Sequence, residues 1–305
     1  MFRLVVVAAF APLARGKIVS AAYLPHGDFA FDPSLVKFAN GSRELHDAAA
    51  VVGARLAALR PDIVVVSTPH GESLDRPFLF LDSSRARAKA TIGLDLDRDC
   101  ARGCYEASLP VDEIRIAENA TRAATAWLRA RGFDVAALEA FADTEPAPLR
   151  WGELIPLSFL NATLNSSSLV VLGQPERRLT EEVAMVPELL DLGGALFDFF
   201  DALAETVVVV VSGDLAHTHL ASGPYGFSPA AAPYDAHIAD WAGSLDRAAL
   251  DAATAYADDA KSCGYTGAVL LHGLLHGTSF APRLLAGPSA PTYYGMLVAD
   301  YGLDV

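Results

Sequence analysis

Short β-branched runs alternate with longer helical patterns along this sequence, and this alternation limits the possible fold classes. The clearest run is Val207–Val211, five consecutive valines followed by Ser212-Gly213-Asp214. Continuous apolar runs of this length are typical of strands that are buried on both faces of a parallel sheet. Similar runs predict strands over Leu4–Ala8, Ile18–Tyr23, Ile63–Ser67, Leu169–Gly173 and Val207–Ser212.

The segments between these runs have helical periodicity. Arg43–Leu59, for example, places Leu45, Ala49, Val52 and Leu56 on one stripe. Further patterns predict helices over Glu113–Arg131, Glu181–Leu203, Tyr234–Ala257 and Gly267–Leu275, and a closing strand over Thr292–Tyr301. The alternation predicts an α/β fold, in which a central mixed, mostly parallel sheet is flanked by helices. We interpret residues 1–305 as one domain of this kind.

One long stretch, Ser83–Val111, has no clear periodicity and is rich in charged residues. We predict that it is irregular and forms a lid or an insertion over a site.

The charge balance argues against several kinds of partner. With 37 acidic and 23 basic residues, the chain has a formal net charge of -14, which repels phosphate backbones and anionic lipid surfaces. The sequence therefore predicts no binding to nucleic acid. No apolar segment reaches the roughly 20 residues that span a bilayer, so we expect no membrane association.

The three cysteines, Cys100, Cys104 and Cys263, are an odd number that does not suggest a disulfide framework. Reduced thiols favour a soluble protein in the cytoplasm. Cys100 and Cys104 lack a second pair with which to complete a zinc site, so we interpret them as incidental. The sequence leaves the oligomeric state open, a homo-oligomer included.

Three of the eight histidines follow predicted strands directly. His26 and His70 each lie in a Pro-His-Gly tripeptide, and His217 follows the valine run, three residues after Asp214. Ligands of α/β proteins bind beyond the carboxyl ends of the strands, where proline ends a strand and glycine lets the backbone turn away. Because imidazole is both a common metal ligand and a general base near neutral pH, we predict one shared site.

A second pair of histidines offers an alternative metal site. His272 and His276 lie four residues apart on an apolar helix and so share one face. They lack the intervening glutamate of a zinc-protease helix.

An ordered set of segments along most of the chain resembles the landmarks of the class III extradiol ring-cleavage dioxygenases and their Memo-like relatives. The segments are Pro25-His26-Gly27, Ser67-Thr68-Pro69-His70, Trp151–Leu157, Ser212–His217, Ser262-Cys263-Gly264 and Tyr294–Ala299.

In those dioxygenases two histidines and a glutamate hold non-haem Fe(II), which leaves positions open for the catecholate and oxygen. The resemblance implies that His26 and His70 are the two histidine ligands and that His217 is the acid/base that acts on the bound diol. Asp214 is then expected to orient His217 or to contact a ligand, and its alternative interpretation is a helix N-cap.

The sequence departs from the dioxygenase pattern at the position of the third ligand. Where ring-cleaving members have a glutamate, this chain has Lys261-Ser262-Cys263-Gly264. Memo-like relatives have a cysteine near this place, so Cys263 is the expected third ligand. Asp258 or Asp259 is the alternative if the loop is realigned, and a buried structural cysteine is also compatible with the sequence. Thiolate is an acceptable ligand for iron, zinc or copper. The resemblance implies Fe(II) as the metal, with zinc or copper as the alternative.

The resemblance implies an oxidoreductase that cleaves a catechol-like or aminophenol-like ring with O2. Trp151 and Tyr225 are candidates for the walls around such a substrate. The alternatives are a Memo-like metal-binding protein without ring cleavage, which the missing glutamate favours, and metal-dependent hydrolysis of a small substrate.

Overall fold

The computed structural model describes residues 17–33, 41–92, 105–139 and 145–303. The strands in these ranges are β1 (Ile18–Leu24), β2 (Ile63–Thr68), β3 (Phe78–Leu81), β4 (Arg85–Ile92), β5 (Tyr105–Arg115), β6 (Val135–Leu138), β7 (Ala147–Pro148), β8 (Ser168–Gly173), β9 (Val207–Ser212), β10 (Phe280–Ser289) and β11 (Met296–Leu303). The helices are α1 (Asp28–Phe31), α2 (Gly41–Ala58), α3 (Glu118–Arg129), α4 (Trp151–Ser158), α5 (Arg178–Glu181), α6 (Val186–Asp201), α7 (Ala231–Ser244), α8 (Arg247–Thr254), α9 (Ala257–Ala260) and α10 (Tyr265–Leu275).

Eight strands form one mixed sheet in the order β10-β11-β1-β9-β2-β8-β3-β6. The four central strands β1, β9, β2 and β8 are parallel to one another. The flanking strands β11 and β3 each run antiparallel to their central neighbour. The predicted fold class, an α/β chain with a mixed, mostly parallel central sheet, is therefore confirmed.

The valine strand β9 shows why this sheet requires apolar runs. Val207, Val209 and Val211 face a core layer that contains residues of α3, α6, α7 and α10. Val208 and Val210 face the opposite layer, which contains residues of α2, α4 and the small sheet described below. Because helices or strands cover both faces, every position of the strand is buried and no polar alternation is possible.

The parallel pairing of the central strands brings their carboxyl ends to one edge. Leu24 of β1 lies opposite Ser212 of β9, and Thr68 of β2 lies opposite Gly173 of β8. The segments that follow these strands must therefore leave the sheet side by side, which is the arrangement that makes a crevice in open α/β folds.

The prediction that Ser83–Val111 is irregular was wrong for its described part. β4 and β5 pair antiparallel, with Arg85 opposite Arg115, and β7 adds to β4 in a three-stranded sheet. The segment alternates charged and small residues, so that Ala86 is buried while Arg87 is exposed. This two-residue period is the signature of a half-buried strand, and the charge content concealed it.

Some predicted elements lie outside the described residues. The strand predicted over Leu4–Ala8 falls in residues 1–16, and Cys100 and Cys104 fall in residues 93–104.

Three predicted helices differ clearly from the structure in their limits. The helix predicted over Glu181–Leu203 begins only at Val186, where α6 starts. The helix predicted over Glu113–Arg131 begins at Glu118, because β5 extends to Arg115. The helix predicted over Tyr234–Ala257 is divided into α7 and α8. Leu245 adopts a left-handed conformation with φ of 57°, and the Asp246 side chain then accepts the Ala248 N–H as the N-cap of α8.

The sequence reading missed β3, β6 and β10. β10 contains Pro282 and Pro288, which argue against a strand, but it lies at the edge of the sheet, where a missing N–H costs little. In the described ranges, no helix is both long enough and apolar enough to cross a membrane.

Candidate metal centre

The residues predicted to form a site lie together at the carboxyl edge of the central strands. His26 follows β1, His70 follows β2, Asp214 and His217 follow β9, and Cys263 precedes α10. The potential ligand atoms of His26, His70 and Cys263 all lie within 4.8 Å of one another. Asp214, His217 and Cys263 form a second group of the same compactness, so Cys263 belongs to both.

His26 is the most closely surrounded member of this cluster. Its Nε2 lies 3.2 Å from Cys263 Sγ and 3.4 Å from Asp214 Oδ2. Its ring meets the His70 ring edge to face, with the ring centroids 4.7 Å apart and an interplanar angle of 88°. Two imidazoles, a thiol and a carboxylate therefore converge on one small volume.

The hydrogen bonds of Ser212 fix which nitrogen of His26 carries hydrogen. Ser212 Oγ donates to the Gly152 carbonyl over 2.5 Å and lies 2.8 Å from His26 Nδ1. A serine hydroxyl has one hydrogen, so Nδ1–H must be the donor in the second contact. The Nε2 lone pair of His26 then points toward the cluster, as a metal ligand requires.

The three histidines are neutral at pH 7. Burial, followed by the charges of His70, His217 and Arg178, holds the pKa of His26 well below its usual value. Burial and the nearby charges, with Arg178 the largest among them, lower the pKa of His70 to about 3 and that of His217 to about 4. Each ring is thus available as a ligand or as a base without first losing a proton.

Asp214 forms hydrogen bonds with two loops of the site, the one that carries His26 and the one that carries Cys263. Its Oδ1 accepts the backbone N–H groups of His26 and Gly27 at 3.1 and 3.3 Å. Its own backbone N–H donates to Cys263 Sγ at 3.4 Å, and its carbonyl accepts from Ser262 Oγ. No helix begins after Asp214, so the N-cap alternative does not apply.

His217 lies beside the cluster and is close to three tyrosines. Its ring centroid is 5.7 Å from that of Tyr225, 5.8 Å from Tyr293 and 5.9 Å from Tyr294. Its Nε2 is buried and has no hydrogen-bond partner among the described residues. A neutral imidazole with an unpartnered nitrogen is suited to exchange a proton with a bound molecule.

The glycines of the two Pro-His-Gly tripeptides are required by close packing. We expected them to permit an unusual turn, yet neither adopts a positive φ. A Cβ on Gly27 would lie 2.3 Å from Tyr294 Cε2, and one on Gly71 would lie 2.1 Å from Glu153 Oε1. Glycine therefore lets neighbouring side chains press against the histidine turns.

The loop that carries Cys263 depends on glycine for the same reason. A Cβ on Gly264 would lie 1.9 Å from the Tyr23 hydroxyl and 2.6 Å from the Asp214 carbonyl oxygen. Asp258 and Asp259, the alternative ligands, are exposed in α9 and belong to neither ligand group in the described part of the chain.

Three residues near the cluster were not identified from the sequence as site residues. Ser212 orients His26, and Glu153 is a buried carboxyl against Gly71 whose pKa is raised to about 7 by burial. Arg178 is only 8% exposed and donates to the Pro69 carbonyl at 2.7 Å. Ser212 could have been identified from the sequence, because it is a polar residue at the end of an otherwise all-valine strand.

The alternative metal pair, His272 and His276, lines a separate cavity of about 500 Å³ together with Trp127 and Asp191. Trp241 Nε1–H donates to His272 Nδ1 at 3.2 Å. An indole can only donate, so a neutral His272 carries its hydrogen on Nε2 and has no lone pair there for a metal. No third ligand joins this pair among the described residues, and the structure does not favour the alternative.

The donor set at the strand ends suits a transition metal. Two neutral imidazoles and a thiol are ligand types that iron, zinc and copper accept, and the Asp214 carboxylate lies on the same centre. The unpartnered Nε2 of His217 and the lone pair that the fixed tautomer leaves on Nε2 of His26 are both features that a bound ion and its ligands would use.

Comparison with known proteins agrees with this architecture. A protein from Escherichia coli K12, solved as uncharacterized protein JW3007, superposes with a TM-score of 0.57 at 15% identity, over 93% of this chain and all of that one. This likeness shows a shared fold. Protein CA_C1420 of Clostridium acetobutylicum is 27% identical over 155 residues, which are half of this chain but only 30% of that protein.

The family comparison covers most of the chain. Residues 21–282 match the model of the catalytic LigB subunit of aromatic ring-opening dioxygenase. The match includes His26, His70, His217 and Cys263. The chain therefore belongs to the family of the catalytic LigB subunit of aromatic ring-opening dioxygenases.

Proposed function

We propose that this protein is an extradiol dioxygenase-like oxidoreductase that opens a catechol-like or aminophenol-like ring with O2. His26, His70 and Cys263 would hold Fe(II), with zinc or copper as the alternative metal. The observation that supports this most directly is the convergence of two neutral imidazoles and a thiol beside a third, unpartnered histidine. Membership of a ring-opening family makes these the expected roles.

An Fe(II) ion held by His26, His70 and Cys263 would supply the Lewis acidity and the redox chemistry that the reaction of a catechol-like ring with O2 requires. In extradiol cleavage the carbon–carbon bond next to the diol breaks, and both atoms of O2 enter the product. The role of the protein is to supply the neutral ligands, to place the ring and to move a proton.

His217 would move that proton. Its neutral Nε2 can accept the hydrogen of a ring hydroxyl and later return it, because burial keeps the pKa of His217 near 4 before a ligand binds. The backbone N–H of His217 is bound to the Ala260 carbonyl, which fixes the loop. Tyr225 and Tyr293, whose ring centroids lie 6.5 Å apart, would contact the substrate ring beside the imidazole.

A second candidate function is a Memo-like metal-binding protein without ring cleavage. The supporting observation is that Cys263 Sγ lies 3.2 Å from His26 Nε2, and that this cysteine stands in the sequence where the resemblance to ring-cleaving dioxygenases implies a glutamate. A thiolate is softer than a carboxylate and changes the redox behaviour of the metal. The Asp214 carboxylate, 3.4 Å from His26 Nε2, favours ring cleavage because it offers an oxygen ligand to the same ion.

The test is an assay of the full chain loaded with Fe(II) without oxygen, mixed with catechols and aminophenols and then exposed to labelled O2. A ring-opened product with both labelled oxygen atoms is the expected result. His70→Ala should lose both metal and turnover. His276→Gln, an exposed histidine away from the cluster, is the matched control and should keep both. Stoichiometric metal binding without any ring-opened product would reject ring cleavage and favour the Memo-like candidate.

We also propose that residues 1–305 form a single domain of this type, since the family match covers residues 21–282, which are most of the chain. The proposed cytoplasmic location rests on the cysteine content alone.

A further inference from the structure

The cavity beside His272 lies away from the strand-end cluster. Its volume is about 500 Å³, and residues of α3, α6, α8 and α10 line it. Cys263 lies two residues before α10 begins, whereas His272 lies in the last turn of that helix. The cavity and the candidate metal centre are therefore at opposite ends of α10. A cavity of this size is large enough for a small organic ligand.

His272 presents an unused hydrogen-bond donor to this cavity. It is 4% exposed, and burial, followed by the charge of Arg247, lowers its pKa to about 4, so its ring is neutral at pH 7. Its Nδ1 edge faces Trp241 in the core, which leaves the hydrogen on Nε2, on the cavity side. No acceptor for this Nε2–H is found among the described residues. A ligand that supplies an acceptor would satisfy a donor that the protein leaves unpaired.

Helix α6 contributes a stripe with an acid at each end. Four residues with the i, i+3, i+4, i+7 spacing of one helix face line the cavity: Asp191, Gly194, Ala195 and Asp198. A Cβ on Gly194 would meet nothing closer than the Gly273 carbonyl oxygen at 3.8 Å, so close packing does not require this glycine. Glycine inside a helix costs about 0.5–1 kcal/mol relative to alanine. Here it leaves open space between the two carboxylates.

The rim of the cavity has charged groups of both signs that the protein does not pair. Asp191 and Asp198 form no ion pair within the described ranges. Arg131 forms none there either, and its guanidinium lies over the Trp127 ring, 3.3 Å from the centroid. The other cation, Arg247, is already paired with an acid of its own helix. The cavity thus offers two carboxylates to a cationic group, and a guanidinium and an imidazole N–H to an anionic one.

We propose that this cavity is a second ligand site, which binds a free amino acid with an apolar side chain. The ammonium group lies between Asp191 and Asp198, and the carboxylate accepts from His272 Nε2–H and from Arg131. The side chain packs on the apolar lining, to which Trp127 belongs. None of these residues is part of the strand-end cluster, so the site does not depend on the proposed ring-opening function.

The test is isothermal titration calorimetry of the full chain, metal-free and zinc-loaded, with L-phenylalanine, phenethylamine and phenylpropionate. Phenethylamine lacks the carboxylate and phenylpropionate lacks the ammonium group, so each probe reports on one end of the site. We expect L-phenylalanine to bind about 10-fold or more tightly than either, because each loses one charge-assisted interaction. The affinity should be equal with and without zinc, since a ligand of the candidate metal centre would need the ion.

Two variants at exposed positions separate the two ends of the ligand. Asp198→Asn should weaken L-phenylalanine and phenethylamine by about 10-fold and leave phenylpropionate unchanged. Arg131→Gln should weaken L-phenylalanine and phenylpropionate and leave phenethylamine unchanged. In NMR spectra, the Nε2–H proton of His272 should shift with L-phenylalanine and phenylpropionate but not with phenethylamine.

Gly194→Leu blocks the cavity without changing a charge. A Cβ has room at this position, so the chain should fold, and binding of L-phenylalanine should be lost. Asp240→Asn is the matched control, because Asp240 is an exposed acid of α7 that does not line the cavity, and it should bind like wild type. The inference is overturned if L-phenylalanine does not bind, if it needs zinc, if Gly194→Leu keeps full affinity, or if either one-ended probe binds as tightly as L-phenylalanine.

Discussion

Replacing Ser212 with alanine tests whether the His26 tautomer is set by the protein. In the structure the Ser212 hydroxyl accepts from His26 Nδ1–H and donates to the Gly152 carbonyl. Ser212→Ala removes both bonds from a fully buried position. Neither stranded group can reach water easily, and the His26 ring becomes free to hold its hydrogen on Nε2, where the metal must bind.

The expected effects are large enough to measure. Each stranded buried polar group costs about 1–3 kcal/mol, so the free energy of unfolding of the metal-free chain should fall by roughly 2 kcal/mol or more. Loss of a partner that orients a metal-bound histidine typically weakens metal binding by about 10- to 100-fold. Urea unfolding measures the first effect, and competition with a chelator of known affinity measures the second.

Ser167→Ala is the matched control for this variant. Ser167 is also a buried serine, and its Oγ donates to the Pro61 carbonyl at 2.6 Å, near the start of β8 and away from the cluster. It should lower stability without changing metal affinity. The tautomer argument is refuted if Ser212→Ala binds metal as tightly as wild type, or if Ser167→Ala weakens metal binding to the same extent.

Three further predictions concern the same centre. Cys263→Ser should lose metal while Asp259→Asn keeps it, as measured by metal content; the reverse result would make the third ligand a carboxylate outside the cluster. His217→Ala should retain metal but lose ring opening, whereas metal loss as complete as in His26→Ala would make His217 a ligand. Glu153 has a pKa raised to about 7, so folding is penalised as pH rises from about 4.5 to 7 and the carboxyl must ionise. Glu153→Gln removes this penalty and should gain up to about 3 kcal/mol of stability relative to wild type over that interval; parallel urea-unfolding results at pH 5 and pH 7.5 would contradict it.

The interpretation of the sequence was most accurate where one strong physical requirement acts on a short segment. A strand covered on both faces must be apolar at every position, so the five valines of β9 could be recognised without a structure. The edge strand β10 escaped notice because its prolines are tolerated only where no neighbour needs the N–H, and edge position is a property of the whole sheet. The strand β4 was not predicted because its high content of charged residues suggested an irregular segment, although small and charged residues alternate along it.

The periodicity of the sequence was enough to predict that His26, His70 and His217 follow strands of an α/β sheet and that Cys263 precedes an apolar helix. Their convergence follows from the parallel register of β1, β9 and β2, which only the tertiary structure contains. The role of Ser212 was equally beyond the sequence, because a hydroxyl becomes an orienting group only through neighbours that are distant along the chain. Sequence periodicity predicts which side chains are buried. Only the tertiary structure decides which hydrogen-bond donors and acceptors lie next to one another.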